Sequence, residues 1–151
     1  MNIDVRRMAP HDAEAIAYLE RAARTALHDQ RGGRAHLAER PSVGDWTQLL
    51  TRSDRAVWVA TIDDVVVAYL ELGLHDSGIA EVMQVYVEPA ARELGCGELM
   101  LAAAMQHARA AGCCVIEGSA LPGDRETKNL YERAGIVARR IILSRPLDRD
   151  L

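Results

Sequence analysis

Arg92-Glu93-Leu94-Gly95-Cys96-Gly97 carries the densest chemical signal in this chain of 151 residues. An apolar run, Val82 to Val87, precedes it and closes at Glu88-Pro89; an alanine- and leucine-rich segment, Glu98 to Ala111, follows and stops at Gly112. The order is strand, tight glycine turn, helix N-terminus. Such a turn leaves backbone N–H groups without partners and aims them, with the positive end of the helix dipole, at one point, which is an arrangement that binds phosphate. Glycine tolerates the dihedrals and lets a ligand approach the main chain. A Walker A loop requires Gly-Lys-Ser/Thr, whereas Gly97 is followed by Glu98-Leu99. The dinucleotide fingerprint G-x-G-x-x-G requires glycine at position 100, which is Met100.

What remains, R-x-x-G-x-G behind a V-x-P strand end, resembles the pyrophosphate loop of the GNAT superfamily of acyl-CoA-dependent N-acetyltransferases, with Val85, Val87, Pro89 and Arg92 at the family spacing. A second stretch, Asp124 to Ile136, resembles the family signature N-x-x-A-x-x-L-Y-x-x-x-G-F. Leu130, Tyr131 and Gly135 match it, while Asp124, Thr127 and Ile136 replace the asparagine, alanine and phenylalanine. The resemblance covers roughly residues 80 to 136; elsewhere only the order of elements agrees.

Acyl transfer to an amine needs a free-base nucleophile, a stabilised oxyanion and a proton for the departing thiolate. The resemblance implies acetyl-CoA as cosubstrate, no metal, and direct transfer in a ternary complex. Tyr131 aligns with the tyrosine that protonates the CoA sulfur, and a phenol of reference pKa ~10 is a reasonable donor to a thiolate of ~8.5. Otherwise it is a core tyrosine. Glu81 stands eleven residues before Arg92, the offset of the catalytic glutamate in the histone acetyltransferase branch, and is the first candidate for general base. Glu117, between Ile116 and Gly118, is the rival. A carboxylate in an apolar strand is costly unless satisfied, so a salt bridge or an edge position is the competing explanation for both. Backbone amides of Leu94, Gly95, Cys96, Gly97 and Glu98 are expected to hold the pyrophosphate. Arg92 either supplements them or pairs with Glu88 or Glu93. Main-chain groups of Val85 and Val87 are expected to pair with the pantetheine arm like an added strand.

Composition narrows the remaining classes. The hydrophobic fraction of 49% and charged fraction of 26% fit one globular domain over residues 1–151. No apolar stretch approaches the ~20 residues of a membrane span, and Met1 to Arg7 has no signal-peptide core, which makes cytoplasm the default. A net charge of −4 argues against broad nucleic-acid binding. Cys96, Cys113 and Cys114 give neither a disulfide framework nor a zinc spacing. The adjacent pair reads as core filler. Cys96 reads as a small loop residue, although a helix N-terminus lowers a thiol's pKa.

The positioning elements follow from periodicity. Strands are expected at residues 2–7, Ala56–Ile62, Val65–Leu72, Ala80–Val87, Cys113–Ala120 and Ile136–Leu143. Helices are expected at His11–Leu27, Asp45–Thr51, Glu98–Ala111 and around Tyr131, with residues 28–44 the least regular segment. Asp63-Asp64 closes a hairpin. The order β-α-α-β-β-β-α-β-α-β is an α/β (α+β) fold with a mixed, mostly antiparallel sheet and a central β-α-β unit, which the GNAT resemblance implies is the CoA-binding one.

Acceptor identity is weakly written. Arg24, Arg31, Arg34 and Arg40 give the expected acceptor region a basic cast suited to a carboxylate or phosphate, or form a solvated face, and they disfavour polycationic amines. His28, His36 and His75 are too scattered to suggest a metal site. A small-molecule amine and a protein amine both remain open. So does a non-catalytic acyl-CoA-binding sensor or regulatory module. The apolar run Ile136–Leu143 would suit a homodimer if it formed an edge strand.

Overall fold

The computed structural model describes residues 1–148. Five strands, β1 (Ile3–Arg7), β2 (Arg55–Ile62), β3 (Val65–Leu74), β4 (Ile79–Val87) and β5 (Val115–Glu117), form one sheet in chain order. The first three pairings are antiparallel and β4–β5 is parallel. The helices are α1 (Ala13–His28), α2 (Gly33–Glu39), α3 (Trp46–Leu49), α4 (Cys96–Ala110) and α5 (Arg125–Arg133). Among the described residues no helix is long and apolar enough to cross a membrane.

Alternation along the strands divides the core in two. Trp58, Leu70, Leu72, Ala80 and Val82 face α4 and α5, where Met100, Leu101, Ala104, Leu130 and Tyr131 complete the larger cluster. Val57, Val59 and Tyr69 face the other way, towards Ile16 and Leu19 of α1 and Trp46 and Leu49 of α3. Neither strand of the β2–β3 hairpin needs a polar face, because helices cover both. Asp63 and Asp64 take φ of 49° and 69°, so this Asp-Asp pair closes the hairpin in the left-handed conformation that two-residue turns require. Asp45 caps α3 through Gln48 N at 3.0 Å, as its position suggests.

Several expected elements differ. Residues 28–44 contain the helix α2. β5 is only Val115–Glu117, not Cys113–Ala120, because its partner β4 turns away after Glu81. Cys114 is exposed and is not core filler, whereas Cys113 is half-buried against the larger cluster. The expected last strand, Ile136–Leu143, is absent. Its apolar composition reads as β, but a strand exists only through a ladder with a neighbour. This run offers β5 a side-chain contact instead, Arg139 Nη2 to Glu117 Oε2 at 2.9 Å. Val137, Ile141, Ile142 and Leu143 are 74–89% exposed.

Candidate active site

The site begins where β4 and β5 part. They pair only from Ile79–Val115 to Glu81–Glu117. Beyond that point the β3–β4 register slips, from Leu72↔Val82 to Glu71↔Gln84, which makes Met83 a bulge and bends β4 away. Glu88 N donates to Val67 O at 2.9 Å. Backbone groups alternate in direction along a strand, so those of Val85 and Val87 point to the open edge. Val87 O is already met there by Arg92 Nε at 3.3 Å. The opening is a V with β4 as one wall and α5 as the other.

The glycine turn closes the wide end. Glu93 and Gly95 take φ of 68° and 90°, reversing the chain so that α4 starts at Cys96 and points its N-terminus at the cleft. The first backbone bond of this helix is Leu99 N to Gly95 O at 3.1 Å; the amides of Cys96, Gly97 and Glu98 precede it. A Cβ at Gly95 would meet no atom within 4 Å, which leaves its outer side open to a ligand, whereas one at Gly97 would stand 3.2 Å from Leu130. Arg92 pairs with neither Glu88 nor Glu93. It bonds back to β4 and lies 5.9 Å from the centre of the Tyr86 ring. Leu94 is partly exposed, and Glu98 faces Arg133 of α5 across the mouth. The Cys96 side chain is buried, and burial raises its thiol pKa, outweighing the backbone hydrogen bond to it. Only its amide belongs to the site.

A cavity of about 490 Å³ runs from this turn along Val85 and Val87 to α5. A smaller one of about 60 Å³ continues to the apex, and Leu27, Val85, Asp124 and Thr127 border both. Asp124 caps α5, accepting from Thr127 N at 3.2 Å and from its hydroxyl at 2.7 Å. Tyr131, one turn further on α5, lines the small cavity. Its ring lies against the end of β5, where a Cβ at Gly118 would stand 2.5 Å from the hydroxyl. Burial, then Asp124 and Glu81, raise the phenol's pKa, so it is held protonated. His36 of α2 borders the same cavity; burial first, then Arg40, lowers its pKa and favours a neutral ring.

Glu81 is the last β4 residue paired with β5. Its carboxylate binds the Arg40 guanidinium through Oε2 and His75 Nε2 through Oε1 at 2.8 Å. Burial pulls its pKa up, but the hydrogen bonds from Arg40 and His75 together outweigh it, and the net shift is down. Glu117 bonds to Arg139 and stands more exposed. On the α1 side of the sheet, Gln84 Nε2 donates to both Glu20 and Glu71 at 3.0 Å, and Tyr69 donates to Gln84 Oε1 at 2.6 Å. Burial raises the pKa of Glu71. Two of the arginines that gave the region its basic cast are committed internally. Arg24 donates to the carbonyls of Arg40 and Leu37, and Arg40 holds Glu81 and the Met83 sulfur at 3.4 Å. Only Arg31 and Arg34 of the four are exposed.

Sequence reasoning missed His36, Gln84 and Gly118. Gly118 had a signal, a glycine ending an apolar strand run; His36 and Gln84 acquire meaning only when α2 and the β4 bulge bring them to the cleft. The donor set fits a CoA ester: helix-N-terminal amides for phosphates at one end, a β4 edge with no strand partner beyond Glu81 among the described residues for an amide-bearing arm, and a protonated phenol at the other.

Comparison with solved structures gives the same fold. AAC(6')-Iy in complex with the bisubstrate analogue CoA-S-monomethyl-acetylneamine matches with a TM-score of 0.73 and 19% identity, over 97% of this chain and 99% of that one. PaiA N-acetyltransferase from Thermoplasma acidophilum, in complex with coenzyme A, matches with a TM-score of 0.73 and 17% identity over 89% of each chain. The ribosomal-protein-alanine N-acetyltransferase of Brucella melitensis biovar Abortus 2308 matches with a TM-score of 0.68 and 17% identity, over 97% of this chain and 99% of that one. A search of curated proteins found no match. The family model for the acetyltransferase (GNAT) family matches residues 13–136. With most of its length matched, this chain belongs to the GNAT acetyltransferase family.

Proposed function

We propose that this protein transfers an acetyl group from acetyl-CoA to a primary amine, directly within a ternary complex in the cytoplasm. The observation that carries the reading is that the phosphate turn and Tyr131 stand at opposite ends of one cleft, whose wall is the unpaired edge of β4. The amides from Leu94 to Glu98 hold the pyrophosphate, supplemented by the Arg92 guanidinium beyond its bond to Val87. Val85 and Val87 bond the pantetheine arm, and the Val85 N–H supports the thioester carbonyl as it becomes an oxyanion. The amine lone pair forms the C–N bond. The C–S pair leaves on sulfur, which takes the Tyr131 proton; the new ammonium passes a proton to Glu81, and solvent exchange restores both groups. Because Arg40 and His75 weaken Glu81 as a base, it acts late, on the more acidic ammonium formed after attack.

On the acceptor side Glu81 is paired with Arg40 and His75, and Glu71 with Arg55. Glu20 and Glu71 are buried against Gln84, so these carboxylates do not select for a cationic amine. The acceptor is a small molecule or a protein amine; the relatives named above include an aminoglycoside and a ribosomal-protein-alanine acetyltransferase. Assembly as a homodimer through the exposed run from Ile136 belongs to the same proposal.

Titration calorimetry with acetyl-CoA and CoA tests the reading, followed by an amine panel. One-to-one binding that weakens at least about tenfold, or 1.4 kcal/mol, in Gly97→Val supports it, since that side chain would push into Leu130 at the turn. No binding at millimolar ligand removes the enzyme.

A further inference from the structure

Three of the side chains that border the small apex cavity can titrate: His36, Asp124 and Tyr131. Two of them are committed. Asp124 Oδ1 accepts from Thr127 N and Oδ2 from the Thr127 hydroxyl, and burial holds the Tyr131 phenol protonated. Glu81 borders neither cavity, and both its oxygens are taken, by Arg40 and His75. His36 remains. No hydrogen bond or ion pair among the described residues engages its imidazole. The side-chain polar atoms that lie shielded without a partner are Gln30 Oε1 and Trp46 Nε1, not the His36 nitrogens. A ring nitrogen with neither a partner nor a full shield is open to a ligand or to water.

The short helix α2 is pinned over the apex at both ends. Its N-cap Gly32 lies against the β5–α5 loop, where a Cβ would stand 3.6 Å from Leu121. At the other end Arg24 of α1 donates to the Leu37 and Arg40 carbonyls, while Arg40 reaches Glu81 and the Met83 sulfur of β4. His36 stands one turn before Arg40, with its main chain bonded to Gly32 O and Arg40 N. Its surroundings keep the ring a base. Burial and then Arg40 disfavour the imidazolium, Glu39 favours it, Arg24 disfavours it again, and the net shift is down. Across the cavity stand Asp124 and Tyr131 of α5, and β4 presents the uncharged Met83 and Gln84.

A primary alkylamine arrives at neutral pH as an ammonium ion, with no lone pair to attack with. Glu81, as placed above, takes a proton only after attack. We propose that His36 is a catalytic residue whose open ring nitrogen takes the proton that the acceptor ammonium sheds at the apex before attack. This rests on the N-acetyl transfer reading above. The N–H bond breaks, its electron pair stays on nitrogen to form the C–N bond, and the proton becomes the second N–H of an imidazolium. The half-buried ring returns that proton to water. With Tyr131 giving a proton to sulfur and Glu81 taking one later, each turnover releases a single net proton.

Ethylamine and trifluoroethylamine test the assignment, being close in shape and different in charge: at neutral pH the first is an ammonium ion and the second a free base. In His36→Gln, kcat/KM at neutral pH is expected to fall about 10²-fold for ethylamine and by no more than about threefold for trifluoroethylamine. Calorimetry should find CoA affinity within about twofold of wild type. The wild-type profile for ethylamine should break below the ordinary histidine value of ~6.5 and above the lower break due to Glu81. The variant should lack that upper break and gain about tenfold per pH unit as free ethylamine accumulates. Equal losses for the two amines, or a matching loss of CoA affinity, overturn the assignment by showing a structural role. No loss for either amine removes His36 from the reaction. Wild-type protein that binds acetyl-CoA yet acetylates neither amine overturns the amine-transfer reading itself, a result distinct from failure of His36 alone.

Discussion

The Tyr131 phenol occupies the volume that a side chain at residue 118 would need: a Cβ on Gly118 would stand 2.5 Å from both the hydroxyl and Cζ. The missing side chain just past β5 thus sets the depth to which the α5 tyrosine enters the apex. Gly118→Ala should displace the ring while leaving the phosphate turn alone. Tyr131→Phe keeps the ring and removes its proton. Both are expected to lower turnover, by about 10²-fold for the loss of a general acid, with CoA affinity within about twofold of wild type. Measuring kcat and CoA affinity side by side checks this. Full turnover in Tyr131→Phe takes the phenol out of the mechanism, and full turnover in Gly118→Ala shows that ring depth does not matter.

Legibility in the sequence followed the range of the interactions. The glycine turn, α4 and the Asp45 cap are local, encoded within a few residues, and are read directly from spacing, whereas Asp124, read only as the residue in place of the family asparagine, proves to be the cap of α5. Glu81 was legible as a carboxylate stranded among apolar neighbours. Its partners were not, because Arg40 and His75 reach it only through the α1–α2 packing and the β3–β4 turn, 41 and 6 residues away in sequence. The Met83 bulge that opens the cleft leaves no mark of its own in an apolar run. Ile136–Leu143 shows the converse: strand-like composition without a ladder is not a strand.

Arg40 governs the Glu81 titration. Hydrogen bonds from Arg40 and His75 hold the carboxyl below its ordinary value against burial, which pushes the other way. A base must be deprotonated to act, so activity attributable to Glu81 should persist down to below about pH 4.3, the ordinary glutamate value, and fall only beneath it. Arg40→Gln removes one of the two restraining partners, and the acid limb of kcat/KM should move to higher pH. A limb that stays put in Arg40→Gln excludes Glu81 as its source.

A second lowered carboxyl bears on stability instead. Asp12 is buried and accepts from Arg6 at 2.7 and 2.9 Å and from Ala9 N at 2.8 Å. The Arg6 hydrogen bond lowers its pKa most, aided by the Ala9 amide and opposed by burial. The unfolded carboxyl binds a proton first as pH falls. The contribution is therefore complete above about pH 4 and is lost as pH drops through the lower native value. Asp12→Asn should cost about 2 kcal/mol at pH 7, reduced from a fully buried pair because Arg6 is one-third exposed. The gap between variant and wild type in urea unfolding should narrow towards pH 3. A constant gap would mean that the charge plays no part.

The proposed homodimer would form through the exposed run after α5. Ile141, Ile142 and Leu143 stand 80–89% exposed, beside a β5 whose outer edge has no strand partner among the described residues. A row of unpaired backbone groups next to exposed apolar side chains is an unstable combination in water, and pairing with a second copy would relieve both. Sedimentation of the full chain is expected to give a dimer. Ile141→Lys with Leu143→Lys places two charges on the run and should shift it towards monomer, without loss of CoA affinity, because neither residue borders the 490 Å³ cavity proposed to take the cofactor. A monomeric wild type sinks the dimer and leaves the run to pair with its own β5. A dimer that survives the double substitution moves the interface elsewhere on the molecule.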